Sequence, residues 1–153
     1  YNWWQDTVEL IDPAGKRYGA ITNSHGSCGG LGYIRRKASW DFTLHGCGLL
    51  GQSDVVATSY PRKDVVTIGI FLSSGFQYRP ASQVSIGLDL VGVLRSTEWT
   101  KPPTGWQIES KTKVSSGVLL DTQWRIGRIV LHQKVGPIYT MGTLWSLGID
   151  YIF

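Results

Sequence analysis

Several things are scarce in this chain. It has no run of the roughly 18 consecutive apolar residues that a membrane-spanning helix needs, and no helical period persists over a long window. A helical membrane protein is therefore excluded, whereas a protein that crosses with alternating strands is not. Charge is sparse and of both signs: 15 basic and 11 acidic residues leave a net +4. That excess is too small and too scattered for a nucleic-acid surface. Cysteine is limited to two residues, Cys28 and Cys47, enough for one disulfide and a weak fit to an oxidising compartment. The opening Tyr1-Asn2-Trp3-Trp4 is not a basic segment followed by an apolar run, so an exported chain with this start reads as a mature form.

Glycine and aromatic residues are plentiful, with 19 Gly, 7 Trp and 7 Tyr among 153 residues. This length suffices for one domain with a real core, and residues 1–153 read as a single unit. The clearest pattern is the last stretch. Trp145, Leu147, Ile149, Tyr151 and Phe153 alternate with Ser146, Gly148, Asp150 and the exception Ile152. A period of two is a strand with two unlike faces.

The same period recurs along the chain. Strands are expected over Trp3–Ile11, up to Ile34, from Ala38 to Cys47, Val66–Ser73, Val84–Val91, Val114–Asp121, Trp124–Gln133 and the final stretch. Residues 12–16 read as a turn, and Gly26–Gly30 obscures the second strand. Short links are expected at 35–37, 78–81, 121–123 and 134–137, and long ones at 51–63 and 95–109. Strand seven alternates only if a bulge sits near Gly127, which turns Ile129 and Leu131 outward. Eight strands with short links after the second, fourth and sixth and longer loops at the other end, the short link after the seventh excepted, form an antiparallel up-and-down barrel. The segments Ser85–Leu90 and Ser146–Tyr151 echo each other, which strand period and a narrow lumen explain without duplication.

With Trp145, Leu147, Ile149, Tyr151 and the terminal Phe153, the chain resembles the small eight-stranded outer-membrane β-barrels of Gram-negative bacteria. These five residues look like the C-terminal signal read by barrel-assembly machinery. The resemblance implies an all-β transmembrane barrel with a side-chain-filled lumen, both termini on the periplasmic side, and loops 51–63 and 95–109 outside. It implies contact with outer-membrane lipid and lipopolysaccharide, with assembly machinery and with other envelope proteins, and no cofactor. It specifies place and architecture, and activity hardly at all.

Asp41, Asp89, Asp121 and Asp150 fall on the inferred inner face, and Arg125 and Arg128 are the cations offered to them. Charges buried in so narrow a barrel must pair, so a salt-bridged lumen is expected rather than an ion path. Pairing strands two and three about residues 35–37 brings Cys28 near residues 44–45, close to Cys47. A cross-strand disulfide is expected there. A zinc site of His45, Cys47, His25 and Cys28 is the weaker alternative, and no metal is assigned. The loop aromatics Tyr60, Trp99 and Trp106 suit an interfacial girdle or a binding surface, and Trp3, Trp4, Trp124, Tyr151 and Phe153 suit a periplasmic belt.

Lipid A deacylases of similar size use a His and a Ser two residues apart with an acidic partner. Here the residues are His132-Gln133-Lys134, and Ser is missing from the matching position. Palmitoyl transfer would need a loop pair such as His25 with Ser24 or Ser27. No catalytic residue is assigned. The leading expectation is a non-enzymatic structural or interaction barrel. A lipid-modifying enzyme and a soluble lipocalin- or avidin-like ligand barrel are the alternatives, and face polarity separates the last from the first.

Overall fold

In the computed structural model, which describes residues 1–55, 65–100, 104–109 and 112–153, alternation becomes an all-β, closed antiparallel barrel. Eight long strands build it: β1 (Asn2–Ile11), β2 (Arg17–Lys37), β3 (Trp40–Val55), β4 (Val65–Ala81), β5 (Val84–Trp99), β7 (Lys113–Ile126), β8 (Ile129–Ile138) and β9 (Gly142–Tyr151). A two-residue strand, β6 (Gln107–Ile108), pairs with β1 at Leu10 and Ile11. Each long strand pairs with the next. Trp3–Trp145 and Asn2–Ser146 close the wall between β1 and β9.

The strands run past most of the links expected from sequence. The links are instead Ala38-Ser39, Ser82-Gln83, Gly127-Arg128 and residues 139–141. Residues 78–81, 121–123 and 134–137 all lie within strands. Tyr78 pairs with Ile86 and Ala81 with Val84, and the register shift between them absorbs Arg79-Pro80. Proline lacks an N–H to give the ladder and is tolerated at such an irregularity. Gly127 marks a turn, not a bulge. Its φ of +63° is a conformation glycine adopts without strain, and Ile129 and Leu131 still face outward after it. Gly51–Val55 and Arg95–Trp99 are also strand, while residues 56–63 of the expected loop lie outside the described residues. The glycine-rich stretch belongs to the 21-residue β2. A Cβ at Gly30 would lie 2.0 Å from the Gly46 carbonyl oxygen, so glycine lets β3 approach closely there.

Opposite the short turns, Asp12 closes the β1–β2 connection. Its carboxylate accepts the Lys16 and Ala14 N–H groups at 2.8 and 2.9 Å and the Tyr18 hydroxyl at 3.1 Å. The Lys16 amide, chiefly, holds this carboxyl below its ordinary value, with the Tyr18 hydroxyl helping against partial desolvation. A depressed folded-state pKa contributes stability above the unfolded value and loses it as pH falls through the folded one. Asp12→Asn is therefore expected to flatten the acid limb of the unfolding curve and to leave the protein at low pH unchanged.

Large apolar residues are exposed on the barrel's outer face, and the lumen mixes apolar clusters with polar and charged groups. Inside, one apolar cluster joins Trp4, Leu49, Val91, Val93, Leu119 and Ile138 with Met141 and Leu144, and Phe71 packs against it. A second, of Val8, Leu10, Ala20 and Val65, lies at the loop end under Tyr18, Trp106 and Ile108. The rest of the buried lining is largely polar or charged. Outside, Leu72, Leu88 and Leu90 are 57, 58 and 66% exposed, and Ile149 is 74% exposed.

Candidate functional site

Lumen-facing positions of neighbouring strands lie side by side, so residues far apart in sequence meet as layers. Near the loop end, Arg95 is fully buried. Its Nε and Nη2 donate to the two Asp6 oxygens at 2.6 and 2.7 Å, and its Nη1 donates to the Ser115 hydroxyl. Lys113 stands 3.7 Å from the same carboxylate. Beside this pair runs a row of hydroxyls. Ser24 and Ser53 are 2.6 Å apart, Ser53 and Thr67 3.4 Å, and Thr67 and Thr97 3.3 Å.

The second layer centres on Lys134, buried on β8. Its Nζ lies 2.5 Å from Asp89 and 3.7 Å from Asp121. Gln77 and Gln123 both donate to Asp121. Closer to the short turns, Asp41 meets Arg79 at 3.5 Å and Arg36 at 4.0 Å. The larger apolar cluster shares the lumen with these groups: its Trp4 follows two residues before Asp6 on β1, and its Val91 two residues after Asp89 on β5. Apolar side chains and paired charges thus share the lumen.

Asp41, Asp89 and Asp121 are thus buried in the lumen, and Asp150 is half-buried at its margin. Arg125 and Arg128 do not join them. Arg125 donates to the Gly127 carbonyl at 2.8 Å and Arg128 reaches the Tyr151 hydroxyl at 3.4 Å, both at the turn that replaces the expected bulge. The cations beside the lumenal carboxylates are instead Lys134, at Asp89 and Asp121, and Arg79 and Arg36, at Asp41, while Arg95 pairs with a further lumenal carboxylate, Asp6, that the sequence reading did not single out. Arg95, Lys134 and Arg79 stand in stretches that read as loop or turn, and their period-two spacing from Val91 and Val93, from Val130 and His132, and from Gln77 is the signal available.

Cys28 and Cys47 form a disulfide with Cα atoms 5.6 Å apart. Register places Cys28 opposite Leu49 and Gly30 opposite Cys47, because the hairpin turns at Ala38-Ser39 and not at 35–37. The disulfide takes both thiols from the His45/Cys47/His25/Cys28 zinc arrangement. A thiol-labelling experiment on the unfolded, unreduced chain is expected to modify no cysteine, and two after reduction.

Sequence reasoning missed one cluster. His132 Nδ1 and His45 Nε2 lie 3.4 and 3.8 Å from Asp150 Oδ2, with the two rings edge to face. Glycines make room for both rings. A Cβ at Gly148 would fall 1.6 Å from His132 Nε2, and one at Gly32 would fall 2.1 Å from His45 Cδ2. Gly148→Ala is expected to displace the His132 ring and to cost about 1–3 kcal/mol as an overpacking substitution. Chemical denaturation with histidine NMR shifts as the second readout checks this. Ser73 pairs with His45 across β3 and β4, yet the Ser73 hydroxyl and His45 Nδ1 form no hydrogen bond. Among the described residues no group of three or more His, Cys, Asp and Glu is placed to hold a metal ion.

The cluster opens on a cleft of about 590 Å³ between β2 and β9, lined by Cys28, Gly30, Gly32, Gly148, Asp150 and Tyr151 among others. Of the aromatics, Trp4 is buried in the lumen and not in a belt. Trp106 packs against Tyr18 at 6.3 Å over the loop-end cluster, whereas Tyr60 and the Trp99 side chain lie outside the described residues. Trp3 stacks on Trp145 at 4.7 Å, and Trp124, Tyr151 and Phe153 are exposed toward the short-turn end. His25 stacks on Tyr1 at 6.0 Å. No protein-family model matches the chain, and no curated protein matches it.

Proposed function

We propose that the protein is an integral outer-membrane β-barrel, a structural or interaction component whose longer loops face outward. One observation carries the reading: the large apolar residues form a band on the outer face. On β3 it runs from Trp40 to Leu50 and on β4 from Ile68 to Tyr78, after which Gln52 and Asp54 continue β3 with polar residues. At about 3.3 Å per residue and a tilt of about 40°, such a span stands roughly 25 Å tall, the height of the apolar band of a transmembrane barrel. Trp40, Phe76 and Tyr78 pack together at one margin, ring centroids 4.8 and 5.1 Å apart, with Trp124, Tyr151 and Phe153 at the same end. A one-sided aromatic rim suits a membrane interface.

A soluble ligand barrel is also closed and eight-stranded, but it puts apolar residues inside around an empty cup. Here the lumen holds Arg95–Asp6 and Lys134–Asp89 pairs and packed apolar side chains. On this reading the band meets lipid and lipopolysaccharide, and the β9 residues Trp145, Leu147, Ile149 and Tyr151, which all point outward, form with Phe153 the signal for barrel-assembly machinery. The loop-end surface is then the part available to other envelope proteins. Alkaline washing of membranes from expressing cells tests the reading: the protein stays with the membrane and needs detergent for release. Recovery in the aqueous phase without detergent ends it.

A further inference from the structure

Basic side chains gather where the strands turn tightly. Arg35, Arg36 and Lys37 end β2, and Arg79 lies near the end of β4. They divide by face. Arg36 and Arg79 reach the buried Asp41 carboxylate, at 4.0 and 3.5 Å. Arg35 and Lys37 continue the outward alternation of the exposed Leu31 and Tyr33, and no acidic group pairs with either among the described residues. The β2–β3 register sets Arg35 beside Phe42 and Lys37 beside Trp40, and the β3–β4 register sets these rings beside Phe76 and Tyr78. All four aromatics are exposed, and Trp40 stacks on Phe76. Together they form a shallow recess of about 470 Å³, lined by Arg35 and Lys37 and by the rings of Trp40, Phe42 and Phe76. Asp41 also lines it, its carboxylate already held between Arg36 and Arg79. Beyond Phe42 and Phe76 the same outer face continues as Leu44 and Leu72.

We infer that this recess binds an anionic phospholipid, its phosphate between Arg35 and Lys37 and an acyl chain over Phe42, Phe76 and Leu44. Two adjoining cations without a carboxylate call for an anion, and a phosphate diester accepts from both a guanidinium and an ammonium group. An aromatic floor that runs into an aliphatic face calls for hydrocarbon on the same molecule. An acidic peptide answers the first demand and not the second. A zwitterionic phospholipid carries its own ammonium group beside the phosphate, and so gains less from the two cations. Lys37 sits in the last pair before the turn and Arg35 one pair further in on the same face, so their long stems cross the rings and hold the charges at the rim. That is the level at which headgroups stand and aromatic belts lie. The inference rests on the membrane reading for its access to lipid, and deepens it by naming the lipid that the short-turn end selects. The face alternation and the uncompensated charges do not depend on it.

The test uses the full chain in nonionic-detergent micelles, titrated with short-chain phosphatidylglycerol or phosphatidylcholine. Native mass spectrometry counts the bound lipid, and the indole N–H resonance of Trp40, assigned with Trp40→Phe, reports its place. Phosphatidylglycerol is expected to bind about thirtyfold more tightly, each of two basic residues adding the usual attraction of a cation for anionic lipid, and to shift the Trp40 resonance. The double variant Arg35→Gln with Lys37→Gln is expected to lose that preference and keep its fold, since neither side chain is buried or paired with an acid. Arg125→Gln with Arg128→Gln, at the β7–β8 turn of the same end, is expected to retain it. The inference is overturned by equal affinity for the two lipids, by a preference that survives loss of Arg35 and Lys37, or by one that falls equally in both double variants. It is overturned too if lipid A or a glutamate-rich peptide displaces phosphatidylglycerol at equal concentration, or if inorganic phosphate alone shifts Trp40 as far as the lipid does. Because the lipid is read in micelles, a chain that shows the preference yet washes off membranes keeps the recess and loses the membrane reading, and the reverse result does the opposite.

Discussion

Replacing Asp6 with alanine is expected to destabilise the barrel by about 3–5 kcal/mol, the cost of leaving a buried charge without its partner. Arg95 has no exposed side-chain surface, and both Asp6 oxygens accept from it. Lys113, 3.7 Å from Asp6, loses the same carboxylate. The penalty arises from the cation left behind rather than from the strength of the pair, so the double replacement Asp6→Leu with Arg95→Met is expected to recover most of the loss. Urea unfolding of the detergent-solubilised protein, followed by tryptophan fluorescence, measures both. A double variant as damaged as the single one would mean that the pair itself, and not the orphaned charge, carries the stability.

That layer also shows where sequence reading reached and where it stopped. The period of two identified the strands and their faces: Trp40, Phe42 and Leu44 point out, and Asp41 and Thr43 point in. It did not locate strand ends, for a reason particular to a barrel with polar groups in its lumen. Polar and small residues mark turns in an ordinary protein, but here they also mark the lumen. Asp121-Thr122-Gln123 looks like a turn and is mid-strand, because Asp121 and Gln123 face inward to hydrogen-bond with each other. Arg95 and Lys134 looked like loop residues for the same reason.

The error propagated. Once 134–137 is taken as a turn, the lumenal carboxylates lack their lysine, and Arg125 and Arg128 are the cations left to offer. The His45–His132–Asp150 cluster was invisible for a different reason. It joins β3, β8 and β9 across the lumen, and only closure of the wall brings β3 near β9. The disulfide was legible because it is local to one hairpin, and it survived a turn misplaced by a few residues since both cysteines lie on the same face.

Arginine in place of Leu90 is expected to destabilise the protein by about 2–4 kcal/mol in a lipid bilayer, the cost of that residue at the midplane of a transmembrane barrel. Leu90 sits on the outer face of β5 between Ser74 and Val118, well away from either end of the strand, and is 66% exposed. If the outer face met water instead, a substitution at so exposed a position would stay within about ±0.5 kcal/mol. Gln5→Arg on the outer face of β1, among Thr7 and Glu9, provides the internal control. It lies where the face is already polar, and the lipid cost falls to about 0–1 kcal/mol near an interface. Unfolding from vesicles of defined phosphatidylcholine composition compares the two. A large penalty at Leu90 with a small one at Gln5 means that the apolar band is solvated by lipid. Equal, small effects would mean that the band is ordinary exposed surface, and the alternation of the last strand, Trp145 through Tyr151, would then need a partner other than a bilayer to cover it.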